Sequence, residues 1–147
     1  MDAKIWGPVT WNFLHFLSIS YPDNPTKSDI ENNKSLLNIL GNVIPCNKCK
    51  KHFKNMLESV DLDNSLLSKK NYMNLIWDFH NKVNKKLNKK IISFNDFIYN
   101  YQSIIDKGSF NPNKIYNENK RLYILLTISS VFILISILYH IIKCKYI

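Results

Sequence analysis

Two of the three cysteines in this chain, Cys46 and Cys49, are separated by two residues, and His52 follows Cys49 three positions later. A C-x-x-C pair can exchange electrons as a dithiol and a disulfide, can supply half of a zinc site, or can be two unreactive buried thiols. Pro45 directly precedes the pair, so the preceding helix cannot continue cleanly and the next helix is expected to begin at Cys46. Unpaired N–H groups at a helix start stabilise a thiolate, which places Cys46 to react.

The residues around the pair favour the redox interpretation and leave the other two open. Lys48, Lys50 and Lys51 add positive potential close to the thiols, and positive potential favours thiolate exchange. Cys49 comes one helical turn after Cys46, within reach of a disulfide. A zinc site needs about four ligands, and no second C-x-x-C or histidine pair completes such a set, so no metal site is predicted.

Two further segments carry aromatic, imidazole and basic side chains at helical spacing. Near the start, Trp11 and His15 are four residues apart and share a helix face. Downstream, His80 and Asn84 have the same spacing, in a stretch that ends in several lysines. Taken singly, the first segment is typical of an aromatic core stripe and the second of a polar, basic helix end.

Together, the three segments resemble the Erv/ALR family of FAD-linked sulfhydryl oxidases, and especially its compact members from large DNA viruses. The resemblance rests on the ordered patterns W-G-x-x-x-W-x-x-x-H, C-x-x-C-x-x-H and H-N-x-V-N-x-x-L-x-K, and it covers roughly residues 4–105. The matching residues are Trp6, Gly7, Trp11 and His15, then Cys46, Cys49 and His52, then His80, Asn81, Val83, Asn84, Leu87 and Lys89.

This resemblance implies an FAD-dependent enzyme that forms disulfide bonds. Electrons would pass from protein dithiols through the Cys46–Cys49 disulfide to FAD and then to O2, giving H2O2. Cys46 would be the outward thiol that exchanges with the substrate, and Cys49 would be the thiol beside the flavin. The family resemblance also implies a homodimer.

The resemblance assigns a set of residues to FAD binding as well. Aromatic faces stack on flat rings and lysines balance pyrophosphate charge, which agrees with the residue types in the set. The residues are Trp6, Gly7, Trp11, His15, Cys49, His52, His80, Asn81, Val83, Asn84, Leu87, Lys89 and Lys90.

The chain also departs from the cellular members of the family. Many of them carry a structural disulfide near the flavin and a shuttle cysteine pair, and this sequence has neither. Trp77 stands at the position of a structural cysteine, so packing must replace that bond. Cys144 is isolated and is expected to be an unreactive thiol, with a lipidation site as the alternative. Without a shuttle pair, a small separate dithiol relay protein is expected to carry electrons to Cys46 from thiol-containing client proteins.

The elements that position these residues are predicted to be helices. Apolar residues recur at helical spacing, no alternating strand pattern competes, and 147 residues suffice for one core. Ser28 with Glu31 is typical of a helix start, as is Ser93 with Asp96. The fold is therefore predicted to be all-α, with a compact bundle of about five helices in residues 1–106. The predicted segments are residues 9–19, 28–44, 46–60, 71–90 and 93–105.

The last part of the chain has a different composition. Residues 122–142 contain no charged residue and would extend ~31 Å as a helix, close to the thickness of a bilayer core. This predicts a C-terminal transmembrane helix over residues 121–143, after a flexible tether at 107–120 and before a short tail at 144–147. The start shows no signal-peptide pattern, and basic residues are more numerous before the apolar run. We expect a single-pass membrane protein with a cytosolic catalytic domain, in a host or virion membrane if the chain is viral.

The net charge of +9 keeps two other functions open. One is a membrane-anchored basic protein that binds nucleic acid, and the other is a membrane-anchored structural protein with no cofactor. Lysine-rich helix faces are more often only solvated, and lysine and asparagine are frequent throughout the chain, so no nucleic-acid partner is predicted. Visible flavin absorbance would separate the oxidase from both alternatives.

Overall fold

The computed structural model describes residues 2–108 and 128–136, and no strand occurs within these ranges. The chain divides into two compact units, Met1–Ser103 and Ile104–Ile147. Six helices lie in the first described range: α1 Ala3–Ser20, α2 Lys27–Val43, α3 Asn47–Glu58, α4 Leu62–Ser65, α5 Lys69–Lys86 and α6 Phe94–Lys107.

The all-α prediction is confirmed, and the five predicted segments correspond to α1, α2, α3, α5 and α6. Sequence periodicity does not detect α4, because a helix of four residues makes only about one turn and shows no repeat. The Asp61 carboxylate caps α4 by accepting a hydrogen bond from the Asn64 N–H at 3.1 Å. The predicted start of α6 is confirmed, since the Asp96 N–H donates to Ser93 Oγ at 3.0 Å.

Helix α1 begins six residues before its predicted start and contains Pro8. The Asp2 side chain caps it by accepting a hydrogen bond from the Lys4 N–H at 2.9 Å. Pro8 has no N–H, but it lies in the second turn and so removes only the bond to the carbonyl of Lys4. Because Lys4 is exposed, water can hydrogen-bond that carbonyl, and the helix continues through the proline.

Helix α2 begins one residue before its predicted start, and its N-cap residue is not Ser28, so the expected cap of Ser28 with Glu31 is wrong. Thr26 is the N-cap residue, and its hydroxyl accepts a hydrogen bond from the Asp29 N–H at 3.2 Å. The Asp29 carboxylate in turn accepts one from the Thr26 N–H at 2.8 Å. This reciprocal pair satisfies two free backbone donors, while the Ser28 hydroxyl accepts from the side chain of Asn32 instead.

The core of the first unit is made mainly of side chains from α1, α2, α3 and α5. Leu14, Leu37 and Phe79 are all at most 1% exposed. At Gly41 of α2, an added Cβ would lie 3.4 Å from the ring of Phe53. The missing side chain therefore lets α2 approach α3, the helix that follows the cysteine pair.

Helix α5 ends four residues before the predicted limit of its segment. Asn88 adopts a left-handed conformation with φ 52°, and the Lys89 N–H donates to the Asn84 carbonyl at 2.9 Å. The Asn88 N–H donates to the Lys85 carbonyl at 3.2 Å. These two bonds form a Schellman motif, which asparagine tolerates and which stops the helix although the lysine-rich sequence could continue it.

The predicted tether at 107–120, membrane helix at 121–143 and tail at 144–147 lie mostly outside the described residues. Within the predicted tether, Lys107 is the last residue of α6 and Gly108 lies in a turn. Within the predicted membrane helix, residues 128–136 are described; they are helical and carry exposed apolar side chains. Among the residues that the structure describes, no helix is both long enough and apolar enough to cross a bilayer.

Candidate active site

Cys46 and Cys49 form a disulfide at the start of α3. Cys46 is the N-cap residue of this helix, as predicted, and its Sγ accepts a hydrogen bond from the Cys49 N–H at 3.2 Å. Both residues are half-buried and pack against the edge of the core. The two residues are therefore neither free thiols nor fully buried, because the sulfur atoms are bonded to each other and both residues are partly exposed.

The surroundings of the disulfide carry uncompensated positive charge. Lys48 and Lys51 are exposed and Lys50 is half-buried. Among the described residues, none of these three lysines forms an ion pair. Helix α3 contains no acidic residue before Glu58. The local potential and the helix start thus both favour a thiolate over a thiol when the disulfide opens.

His52 follows one turn after Cys49 and is half-buried. Burial, and then the positive charge of Lys86, lower the pKa of His52 below its usual value of 6.5. The imidazole is therefore neutral at pH 7, and the end of α5 lies close enough to α3 to act on it electrostatically. The described residues contain no group of three or more His, Cys, Asp or Glu side chains arranged to hold a metal ion.

A second group of predicted site residues comes together where α1 packs on α5, and we call Trp11, His15 and His80 the aromatic–imidazole cluster. The rings of Trp11 and His80 are stacked, with centroids 4.6 Å apart and planes 8° apart. His15 Nε2 and His80 Nδ1 share a hydrogen bond of 2.8 Å. The cluster thus joins side chains that are 65 positions apart in the sequence.

Both histidines of the cluster are held uncharged. Burial, and then the charge of His80, lower the pKa of His15 to about 3. Burial, and then the charge of Lys89, lower the pKa of His80 to about 4. At neutral pH one ring nitrogen donates the shared hydrogen bond and the other accepts it, so the cluster presents flat, neutral rings.

Two aromatic residues of α6 surround His15 and were not predicted as part of the site. The rings of Phe97 and Tyr101 lie 4.7 and 4.9 Å from the His15 ring, centroid to centroid. Tyr101 also donates a hydrogen bond to the Asn12 side chain at 2.6 Å. The four-residue spacing of Phe97 and Tyr101 indicates a shared helix face, but no sequence signal shows that this face meets α1.

Several predicted site residues carry buried polar atoms that find no hydrogen-bond partner within the part of the chain that the structure describes. Such atoms are Trp6 Nε1, His15 Nδ1 and Asn84 Nδ2, and two more occur on Asn33 and Tyr72. Buried polar groups are nearly always paired in folded proteins. Three of these five atoms belong to the residue set assigned to the cofactor, which is consistent with a ligand that supplies partners there.

Three side chains and the peptide groups of Ile92 hold the connection between α5 and α6, and we call Trp77, Asn81, Ile92 and Phe94 the Ile92 clamp. The Asn81 amide donates to the Ile92 carbonyl at 2.8 Å and accepts from the Ile92 N–H at 3.0 Å. Trp77 Nε1 donates to the same carbonyl at 2.8 Å. The rings of Trp77 and Phe94 meet edge to face, 5.5 Å apart. The packing expected at Trp77 is thus an indole hydrogen bond together with an aromatic contact.

The remaining predicted residues differ in exposure. Gly7 is half-buried, and beyond its chain neighbours and its own helix backbone no atom lies within 4 Å of a built Cβ, so no close approach requires glycine there. Val83 is partly buried against the core. Leu87 is 56% exposed, and Lys89 and Lys90 beside it are exposed as well. A ligand with an apolar ring and anionic groups would suit this surface.

The disulfide and the aromatic–imidazole cluster lie on helices that touch. Phe53 follows Cys49 by one turn on α3, and Phe79 directly precedes His80 on α5. The rings of Phe53 and Phe79 meet edge to face, with centroids 6.1 Å apart. Both rings are at most 5% exposed, so this contact fixes the two helices against each other.

Comparisons with known proteins agree with the resemblance. The sequence profile of the Erv1/Alr family matches residues 8–102. The FAD-linked sulfhydryl oxidase ERV1 of Arabidopsis thaliana is 35% identical over 85 residues, which are 58% of this chain and 44% of that protein. The FAD-linked sulfhydryl oxidase of African swine fever virus is 35% identical over 103 residues, covering 69% of this chain and 84% of the viral one.

A solved structure shows the same fold. The FAD binding domain of Erv1 from Saccharomyces cerevisiae superposes with a TM-score of 0.66 at 31% sequence identity. The match covers 70% of this chain and 96% of the yeast domain. This chain therefore includes nearly all of a known FAD-binding unit, while it spans less than half of the Arabidopsis relative.

Proposed function

We propose that this chain is an FAD-dependent sulfhydryl oxidase that forms disulfide bonds in protein substrates. The proposal proceeds from the family: the chain belongs to the Erv1/Alr family. The observation that carries this proposal is the half-buried Cys46–Cys49 disulfide, placed at a helix start beside three lysines. Its helix contacts the one that carries His80, through Phe53 and Phe79. The helix that begins at the disulfide therefore contacts a helix that carries one of the rings suited to a flat cofactor.

The chemistry at the disulfide begins with a substrate thiolate, which attacks Cys46 Sγ. A mixed disulfide forms, the Cys46–Cys49 bond breaks, and Cys49 leaves as a thiolate. The second substrate thiol then attacks the mixed disulfide at the substrate sulfur and releases Cys46. The substrate has lost two electrons and two protons and gained a disulfide, and the cysteine pair has taken up both electrons.

The residues of the aromatic–imidazole cluster and the adjoining surface fit FAD. The stacked rings of Trp11 and His80 suit a flat ring system, and Lys89 and Lys90 suit a pyrophosphate. The unpaired Asn84 amide offers a donor to a polar edge. When bound, FAD accepts the electron pair from the cysteines and delivers it to O2, giving H2O2.

Flavin content and oxygen consumption of the purified full chain test this proposal. We expect one FAD per chain and dithiol-dependent O2 consumption that yields an equal amount of H2O2. Cys144→Ser is the matched control for cysteine chemistry, because Cys144 is not assigned to the site and its loss should leave the rate unchanged. A folded chain that neither contains nor takes up FAD would favour the binding or structural alternatives.

The proposal includes a small dithiol relay protein as the immediate electron donor, with thiol-containing clients beyond it. It rests on the sequence, which has no second cysteine pair that could reach out to bulky substrates. In Cys49→Ser, the lone Cys46 thiolate should attack the disulfide of the oxidised donor and free one donor thiol. Rapid alkylation of that thiol prevents it from releasing Cys46, so the mixed disulfide can be isolated. Recovery of a small protein with its own cysteine pair would support the relay, and recovery of large clients alone would contradict it.

The proposal also includes a homodimer, supported by an exposed apolar stripe on α1. Ile5, Val9 and Phe13 recur every four residues and are 68%, 69% and 49% exposed. Such a face on a soluble helix is typical of an interface between copies. Val9→Lys should shift the sedimentation coefficient to that of a monomer. Tyr99→Lys, at a residue that is 67% exposed on α6, should leave it unchanged.

The proposed domain organisation keeps residues 1–106 as the catalytic domain, 107–120 as a tether and 121–143 as a membrane helix with a short tail. The support is the uncharged run at 122–142. We propose a cytosolic catalytic domain, because basic residues are more numerous before that run than after it. Protease added to sealed membranes should then digest the domain, and full protection would contradict this orientation.

A further inference from the structure

We propose that the Ile92 clamp positions Lys89 for the phosphate groups of FAD, so that Trp77 and Asn81 set cofactor affinity without touching the cofactor. This inference rests on the proposed function and adds two positioning residues to it. It assigns Asn81 a different role from the direct cofactor contact that the family pattern implies.

The polar atoms of Asn81 are already used within the protein. Asn81 is 8% exposed, and its amide makes two hydrogen bonds to the peptide groups of Ile92, one as donor and one as acceptor. A side chain held by two such bonds has one orientation and little freedom to follow a ligand. Its direct effect is to fix the position of residue 92.

Trp77, one turn before Asn81 on α5, also holds Ile92 in place. Its indole N–H donates to the Ile92 carbonyl, which therefore accepts two hydrogen bonds from α5 side chains. The ring also contacts Phe94, the first residue of α6. These contacts anchor the end of the connection to the side of the helix that carries His80.

The beginning of the connection is anchored independently. The Lys89 N–H donates to the Asn84 carbonyl at 2.9 Å, and Asn88 provides the left-handed turn before it. Only Lys90 and Ile91 remain between Lys89 and the clamped Ile92. A segment fixed at both ends over so few residues has a narrow range of conformations.

The anchored segment brings positive charge to the aromatic–imidazole cluster. Lys89 is close enough for its charge to lower the pKa of His80, whose ring stacks on Trp11. A cation held beside stacked, neutral rings suits a ligand that joins an aromatic ring to a phosphate. If the clamp loosens, the Lys89 ammonium samples more positions and contributes less to phosphate binding.

The test compares FAD affinity with protection of the Ile92 amide in the full chain. Asn81→Leu removes both amide bonds at similar volume, and Trp77→Phe removes the indole donor but keeps an aromatic ring. We expect the FAD dissociation constant to rise about tenfold in Asn81→Leu and about threefold in Trp77→Phe. Asp78→Asn is the matched control, because it alters only an exposed ion pair with Lys82 on the same helix.

Two readouts separate positioning from a merely structural effect. Asn81→Leu should weaken the salt dependence of FAD binding and speed hydrogen exchange at the Ile92 amide. In a Lys89→Met background, Asn81→Leu should change FAD affinity by less than about twofold, because the clamp acts through the lysine.

Three outcomes would overturn the inference. If wild type binds FAD and the FAD dissociation constant is unchanged in both clamp variants, this inference is contradicted while the proposed function stands. If Asn81→Leu lowers FAD affinity as much in the Lys89→Met background as in wild type, Asn81 contacts the cofactor directly. A wild-type chain that binds no FAD would overturn the proposed function together with this inference, whatever the exchange rate at Ile92.

Discussion

The disulfide region and the aromatic–imidazole cluster are built on opposite physical principles, although their helices touch. Cys46 and Cys49 are half-buried at a helix start, among lysines that form no ion pair with an acidic side chain in the described part of the chain. His15 is 2% exposed, and burial keeps the imidazoles of His15 and His80 uncharged. Exchange with a protein thiol needs access and positive potential, whereas a flat cofactor needs a dry, neutral and rigid surface.

The sharpest way to separate the two regions is to remove one sulfur atom. Cys46→Ser and Cys49→Ser should each lower dithiol-dependent O2 consumption on the order of a thousandfold or more, because neither serine can form the disulfide. FAD content should stay within about twofold of wild type. Cys46→Ser should also show a long-wavelength absorbance band from the Cys49 thiolate beside FAD. The band in Cys49→Ser instead would exchange the roles assigned to the two cysteines.

The complementary change removes a ring from the cluster. Trp11→Ala should raise the FAD dissociation constant about tenfold to a hundredfold, because it deletes the face that stacks on His80. The Cys46–Cys49 disulfide should remain reducible by dithiol at the wild-type rate. Tyr99→Ala, an aromatic deletion at an exposed site, serves as the control. Equal FAD affinity in Trp11→Ala and wild type would remove the cluster from the cofactor site.

Acid should destabilise the folded chain through the two histidines of the cluster, because the disulfide does not titrate. The pKa values of His15 and His80 in the folded chain lie below 6.5. Between pH 6.5 and about 4, both histidines therefore bind protons in the unfolded chain and stay neutral in the folded chain. The free energy of unfolding is therefore fully present above pH 6.5, and it falls by up to about 1.4 kcal/mol per pH unit for each histidine. Urea titrations of wild type at pH 7 and pH 5 measure this loss.

A variant assigns the acid effect to the cluster. His15→Gln cannot titrate but can still hydrogen-bond His80, so its stability should depend less steeply on pH than that of wild type. His52→Gln should change the slope less, because His52 is only partly buried. An equal slope in His15→Gln and wild type would show that other groups control acid unfolding.

The smallest expected effect concerns the charge around the disulfide. Lys51→Gln should lower the rate constant for reduction of the disulfide by an anionic dithiol about two- to threefold, because an exposed charge acts weakly and is screened by salt. The difference between wild type and variant should shrink at high ionic strength. Stopped-flow measurement at two salt concentrations decides this, and a salt-independent difference would indicate a change in geometry.

The sequence predicts much of this arrangement because helical spacing and residue order are local properties. The start of α3 at Cys46 follows from Pro45, and the facing of Trp11 and His15 follows from their four-residue spacing. The helical segments are predicted for the same reason, apart from the four-residue α4. The family patterns in turn name the cysteine pair and the cofactor.

What the sequence does not predict are contacts between distant segments. The Ile92 clamp joins residues 11 and 15 positions apart across a turn, and no periodic pattern marks it. The end of α5 depends on the left-handed Asn88, because the lysine-rich residues after it are otherwise compatible with a helix. Phe97 and Tyr101 line His15 only because α6 packs back on the bundle.

The most direct test of the central claim is anaerobic reduction of the bound flavin by a dithiol. In the wild-type chain loaded with FAD, one equivalent of dithiol per active site accounts for reduction of the Cys46–Cys49 disulfide. One further equivalent should bleach the visible flavin absorbance, and admission of O2 should restore it. In Cys46→Ser and Cys49→Ser, the absorbance should not bleach on the same timescale. Bleaching at the wild-type rate in either variant would contradict an electron route through the disulfide.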